Sequence, residues 1–116
     1  MAIGVPGIDE NIFQDLFEGD VEVFKSVLHS FIEKTPSVLQ KLSNVSKETL
    51  ADYATTVHGL KGACATICAE EARKAAFSLE QKSRAGDLNG VLAENHAFIN
   101  MVEDLLVKLQ NWFKSH

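Results

Sequence analysis

Apolar residues recur along this chain at intervals of three and four, the period of a helix face, and no alternating Val/Ile/Thr run marks a strand. Asp9 is placed to cap a short helix ending near Phe17, with Ile12, Phe13, Leu16 and Phe17 as its apolar set and Gly19 as its stop. Asp20 opens a second helix whose stripe is Val21, Phe24, Val27, Leu28, Phe31 and Ile32. Thr35-Pro36 reads either as the start of a new helix or as a kink within one long helix, and Val38, Leu39 and Leu42 continue the pattern. Ser46 is the expected cap of a helix over about 47–67 with the stripe Leu50, Tyr53, Val57, Leu60, Cys64 and Ile67. A further helix over about 69–85 turns Ala72, Ala76 and Leu79 inward, and Gly86-Asp87 is a stop followed by a cap. The most regular segment is the last, about 88–113, with Leu88, Val91, Leu92, Phe98, Ile99, Val102, Leu105, Leu106, Leu109 and Phe113.

Long amphipathic helices with short connections predict an all-α fold, an antiparallel four-helix bundle with a short additional N-terminal helix. Residues 1–8, with Gly4, Pro6 and Gly7, read as an irregular N-terminal arm resembling a linker remnant, and 9–116 as the bundle domain. No internal repeat or low-complexity segment is present.

Composition narrows the function classes. At 116 residues and 46% apolar content, one domain can bury a core without disulfides or metals. A net charge of −5 with no Lys/Arg cluster argues against nucleic acid as a partner. No apolar stretch is long enough for a transmembrane helix, and the first residues lack the basic start and apolar core of a signal peptide. Cys64 and Cys68, spaced i, i+4, do not form a disulfide framework, and a reducing cytoplasm is the expected setting. The bundle is expected to close as a monomer without membrane contact.

The candidate chemistry lies in His58-Gly59-Leu60-Lys61-Gly62. The core stripe assigns His58 to the opposite, solvent-facing side. Its neighbours there, Ala51, Ala54, Thr55 and Ala65, are small, as though cleared for something large to reach the imidazole. Lys61 at i+3 sets an ammonium beside the ring, which favours the uncharged, nucleophilic imidazole and can hold an anion attached to it. Gly62 at i+4 removes the nearest side chain on the C-terminal side. A mid-helix glycine costs about 1 kcal/mol relative to alanine, so it needs a reason: close helix packing or access to His58. The stripe geometry favours access.

This run, with Ala69 eleven residues after the histidine and Leu79-Glu80 further on, resembles a histidine-containing phosphotransfer (HPt) domain of phosphorelays. Gly19-Asp20 through Phe24, Leu28 and Phe31 also resembles the family's second helix, and the likeness covers about residues 8–110. It implies that His58 accepts a phosphoryl group from an aspartyl phosphate on a response-regulator receiver domain and relays it to another receiver. Lys61 would steady the phosphoryl oxygens, Glu80 would orient the imidazole through its other ring nitrogen, and Gly62 would keep the approach open. Receivers and a hybrid sensor kinase would be the partners. The receiver would supply Mg²⁺, so the domain would need no cofactor of its own, and no nucleotide-binding loop suggests autonomous kinase activity. One departure is visible. Cys68 stands ten residues after the histidine, where the family commonly has glycine, so a different connection or a helix that runs on is expected. Ala72, where a larger apolar residue is typical, suggests tighter packing nearby.

Other candidates have plainer readings. Cys64 and Cys68 could grip a metal with a third ligand, but Cys64 lies on the core stripe, where a thiol behaves as a small hydrophobe. His29, His96 and His116 lack ligand-like spacing and read as surface residues. Glu80 could pair with Arg84 at i+4, and Arg73, Lys74, Lys82 and Arg84 make that helix locally basic, a solvated face or a guide for an acidic partner. A docking module that has lost phosphotransfer, or a metal or haem bundle, are the alternatives; the first conflicts with intact His58, Lys61 and Glu80, the second with apolar faces that carry no inward His or Glu-x-x-His pair.

Overall fold

The computed structural model describes residues 4–5 and 7–116, so Met1, Ala2, Ile3 and Pro6 of the expected arm lie outside the described residues. The helices are α1 (Glu10–Phe17), α2 (Val21–Leu42), α3 (Leu50–Thr66), α4 (Glu70–Arg84) and α5 (Leu88–Ser115), and no strand occurs among the described residues. The fold is the expected all-α bundle. Helices α2 to α5 pack in a closed cycle of neighbours, most extensively α3 on α4, while α1 lies against α2. Lys25 near the start of α2 reaches the backbone of His116, and Asn95 near the start of α5 reaches Leu42, so these two helices run antiparallel. The 28 residues of α5 run the length of a molecule 45 Å long.

The expected caps form at three helices. The carboxylates of Asp9, Asp20 and Asp87 accept from the backbone N–H of Ile12, Val23 and Gly90 and satisfy donors that a helix start leaves orphaned. The start of α3 differs. Ser46 does not cap it; residues 47–49 form a turn, the Ser46 N–H donates to the Thr49 hydroxyl, and the helix begins at Leu50. Helix α2 continues through Pro36. Its Thr35 is buried, while Pro36, which cannot donate a backbone hydrogen bond, lies on the exposed face.

The core takes Phe13, Phe24, Leu28, Val57, Leu79, Val102 and Leu109 out of solvent almost completely. Phe24 receives the rings of Phe13 and Phe17 edge-on, each at 4.9 Å, which pins α1 to α2. Val5 and Ile8 of the arm are buried too, so its described part is irregular yet packed. Leu16 and Leu92, both expected to face inward, are more than half exposed, and Trp112 fills an inward position instead. A buried polar bridge ties three helices: the Tyr53 hydroxyl donates to Asn95 Oδ1 at 2.7 Å, and Asn95 Nδ2 donates to the Leu42 carbonyl at 2.8 Å.

The α3–α4 corner corrects the expectation at Cys68. Helix α3 neither runs on nor connects differently; Cys68 itself adopts φ +63°, the left-handed conformation usual for glycine. Its carbonyl accepts from the Asp9 N–H at 2.8 Å, and its side chain is buried. Packing on both sides thus holds a conformation disfavoured for a residue with a Cβ. Ala72 lies on α4, the helix that packs most extensively on α3. Although buried, it lines a cleft of about 470 Å³ between α4 and α5 with Ala69, Ala97 and Met101.

Candidate functional site

The α3 stripe determines where His58 stands. Leu50, Tyr53, Val57, Leu60, Cys64 and Ile67 are all buried, and a helix anchored on that face must turn residue 58 outward. The His58 side chain is 58% exposed. Helix α4, antiparallel to α3 across the three-residue corner, is anchored by Ala72, Ala76, Leu79 and Ser83 and brings Glu80 beneath the imidazole.

Glu80 organises the site. Its side chain is only 9% exposed, and three groups converge on its carboxylate. His58 Nδ1 lies 2.7 Å from Oε2, Arg84 Nε donates to the same oxygen at 3.1 Å, and Lys61 Nζ pairs with Oε1 at 2.7 Å. These partners hold its carboxyl down to about 2, with Lys61 the largest influence; burial opposes the shift and loses to the combined donors. Glu80 is therefore ionised near neutrality. An ionised carboxylate only accepts, so the proton in the His58–Glu80 hydrogen bond sits on Nδ1. In the uncharged ring that leaves the lone pair on Nε2. Both expected partners of Glu80, His58 and Arg84, are engaged at once. Lys61 is not a free cation beside the ring, as its spacing alone suggested, but is tethered to the far oxygen of the same carboxylate.

The glycines answer the packing question. A Cβ built at Gly62 or Gly59 meets nothing within 4 Å, and neither has a positive φ. Close helix packing does not explain Gly62, whose missing side chain leaves open space on the exposed face of α3. The cleared stripe is partly as expected: Ala51 and Thr55 are exposed, Ala65 is half-buried, and Ala54 is buried in the core. Beside it, a groove of about 690 Å³ runs between α2 and α3, lined by Val27, Phe31 and Val38 on one side and Thr55, Gly59 and Ala63 on the other.

Phe77 was not anticipated. It is 43% exposed, one turn before Glu80, and the Lys61 ammonium lies 5.3 Å from its ring centroid. The available signal was its position off the Ala72–Ala76–Leu79 stripe: an aromatic residue on a polar face, three residues before a buried acid.

The other candidates are not part of this arrangement, Arg84 excepted. Cys64 and Cys68 are buried, and burial pushes their thiols up to about 12 and about 11, far from thiolate chemistry at neutral pH. No three His, Cys, Asp or Glu side chains among the described residues converge as metal ligands would. His29, His96 and His116 are exposed, His29 within 3.0 Å of Glu33. Three of the four basic residues of α4 have partners within the chain: Arg73 with Glu70, Lys82 with Glu94 and Arg84 with Glu80.

The bundle thus presents His58 exposed on α3, with its ring held by the buried carboxylate of Glu80 on α4. The family model for the Hpt domain matches residues 26–112, from within α2 to near the end of α5, and takes in His58, Lys61, Gly62 and Glu80. The chain belongs to the Hpt domain family, whose members act in histidine phosphotransfer in phosphorelays together with receiver domains and kinases. Comparisons with curated proteins and with solved structures gave no match. No helix among the described residues is long and apolar enough to cross a membrane.

Proposed function

We propose that His58 is the phosphoryl carrier of a relay, loaded from an aspartyl phosphate of one receiver domain and discharged to an aspartate of another. The observation that carries this reading is the 2.7 Å contact between His58 Nδ1 and the ionised Glu80, which leaves Nε2 as the outward nucleophile. In the loading step the Nε2 lone pair attacks phosphorus, the N–P bond forms, and the acyl oxygen–phosphorus bond breaks with the receiver aspartate leaving as carboxylate. No electrons are exchanged and no proton needs to move. The ring gains positive charge while Nδ1–H remains bonded to Glu80, which offsets that charge as it develops.

Lys61 is the phosphate-steadying group in this reading. Its ammonium has three donors, and its pairing with Glu80 keeps it within one side-chain swing of a phosphoryl group on Nε2. Arg84 gives Glu80 a second cation, so the carboxylate stays ionised and keeps its grip on Nδ1 while Lys61 turns to the phosphoryl oxygens. Gly62 keeps the approach clear. Phosphoryl transfer depends on alignment and charge stabilisation more than on covalent help from the protein, which suits so small a set of residues. Mg²⁺ belongs to the receiver in this account, and the domain works as a cytoplasmic monomer beside receivers and a hybrid sensor kinase.

The test is phosphotransfer profiling against the receiver domains of the source organism. A cognate phospho-receiver should label this protein in an acid-labile, alkali-stable form, and His58→Gln should take up no label. Label retained by His58→Gln contradicts the assignment, and wild-type protein that binds receivers yet takes no label from any of them identifies a docking module instead.

A further inference from the structure

Phe77 is a large apolar side chain exposed at the rim of the site, contributing nothing to the α4 core face that Ala76 and Leu79 form. What it contacts is Lys61. That side chain reaches from α3 towards α4, 24% exposed, with its ammonium 2.7 Å from Glu80 Oε1 and 5.3 Å from the Phe77 ring centroid. A carboxylate alone fixes how far an ammonium is from one oxygen and leaves its direction open, because a lysine stem has four rotatable bonds and much rotamer entropy to lose. A ring face adds a second, non-competing attraction. It draws the cation through its quadrupole and occupies no hydrogen-bond acceptor site. The ammonium is thus confined between α3 and α4 with N–H donors left for an incoming anion.

We propose that Phe77 is a positioning residue that holds the Lys61 ammonium ready for the phosphoryl group at His58. The inference rests on the reading of His58 as the phosphoryl carrier. Lys61 must leave Glu80 at least in part to meet phosphoryl oxygens, and the ring supplies a surface along which the cation remains held during that exchange. Phe77 acts only through Lys61 and touches no reacting atom.

Phosphoramidate, a small phosphodonor, separates this role from receiver docking because it has no protein surface to dock. With it the P–N bond of the donor breaks, ammonia leaves, and the Nε2–P bond forms. Full-length wild type, Phe77→Leu, Phe77→Tyr, Lys61→Met and the Phe77→Leu/Lys61→Met double variant are compared by initial rate of His58 phosphorylation, with circular dichroism confirming each fold. The attraction of a cation to an exposed ring corresponds to a rate loss of about two- to five-fold in Phe77→Leu. Phe77→Tyr should restore the wild-type rate, and Phe77→Leu should add no loss in the Lys61→Met background. A wild-type rate for Phe77→Leu overturns the proposal, as does an equal fold-loss with and without Lys61. Wild type that takes no phosphoryl group at His58 from phosphoramidate or from any phospho-receiver defeats the carrier reading itself, an outcome distinct from either.

Discussion

Gly62 separates the needs of the fold from those of the reaction. It lies within α3, is exposed, has no positive φ, and would give a new Cβ nothing to strike within 4 Å. Gly62→Ala should therefore stabilise the protein by about 0.8–1 kcal/mol, the propensity difference at an exposed helix interior. With unfolding entropy of about 2.1 cal/mol/K per residue, a 116-residue domain then gains about 4 °C in Tm. Gly62→Gln should keep most of that gain, because glutamine is a good helix former, but its effect on transfer is opposite. Residues four apart on a helix have Cβ atoms about 5–6 Å apart, and side chains lean towards the N-terminus, so a glutamine at 62 lies over the His58 imidazole. Misplacing a reacting group by about 1 Å costs up to about 100-fold, and a side chain across the approach should slow transfer from a phospho-receiver by about 10- to 100-fold. Thermal denaturation and single-turnover transfer on the same preparations check both halves. A Gly62→Ala variant less stable than wild type, or a Gly62→Gln variant that transfers at the wild-type rate, refutes the access argument.

Acid titration tests the environment of Glu80. Its carboxyl is held at about 2 against an ordinary 4.5, so its stabilising contribution is present above 4.5 and drains away as pH falls towards 2. That interval sets a ceiling of about 3 kcal/mol, reduced to about 1–2 kcal/mol because His58 and Arg84 are more than half exposed. The stability difference between wild type and Glu80→Gln, from urea unfolding at pH 6 and pH 2.5, should shrink by that amount; a pH-independent difference contradicts it. At the corner, Cys68→Gly should be more stable than Cys68→Ala by about 1 kcal/mol, since both lose the buried thiol and only alanine keeps the left-handed strain. Equal midpoints in chemical denaturation would show that Cys68 is not strained.

Much of this architecture was legible because it follows from a single period. The stripe from Leu50 to Ile67 is buried throughout, so the exposure of His58 followed from its neighbours alone. Glu80 joined the site through the family resemblance and is brought there by the packing of α4 on α3. What periodicity missed depends on contacts between elements. Leu16 and Leu92 keep the helical spacing yet point to water, because no neighbouring helix covers them. Asn95, a polar residue inside α5, is buried, where it serves both a tyrosine hydroxyl and the carbonyl of Leu42. The conformation of Cys68 was masked by its side chain; local propensity favours glycine there, and the hydrogen bond from Asp9 is a tertiary fact. The spacing of Lys61 on α3 did not show its partner, the Glu80 carboxylate on the next helix that His58 also contacts.

The position of phosphorus on the imidazole tests the central claim most directly. Phosphorylated protein, uniformly ¹⁵N-labelled, is examined by ³¹P and ¹⁵N NMR, with ring nitrogens assigned to His58 against a His58→Gln control. Because ionised Glu80 fixes the proton on Nδ1, phosphorus should couple to Nε2 of His58 and Nδ1 should remain protonated. Phosphorus on Nδ1, or on any residue other than His58, would contradict the account.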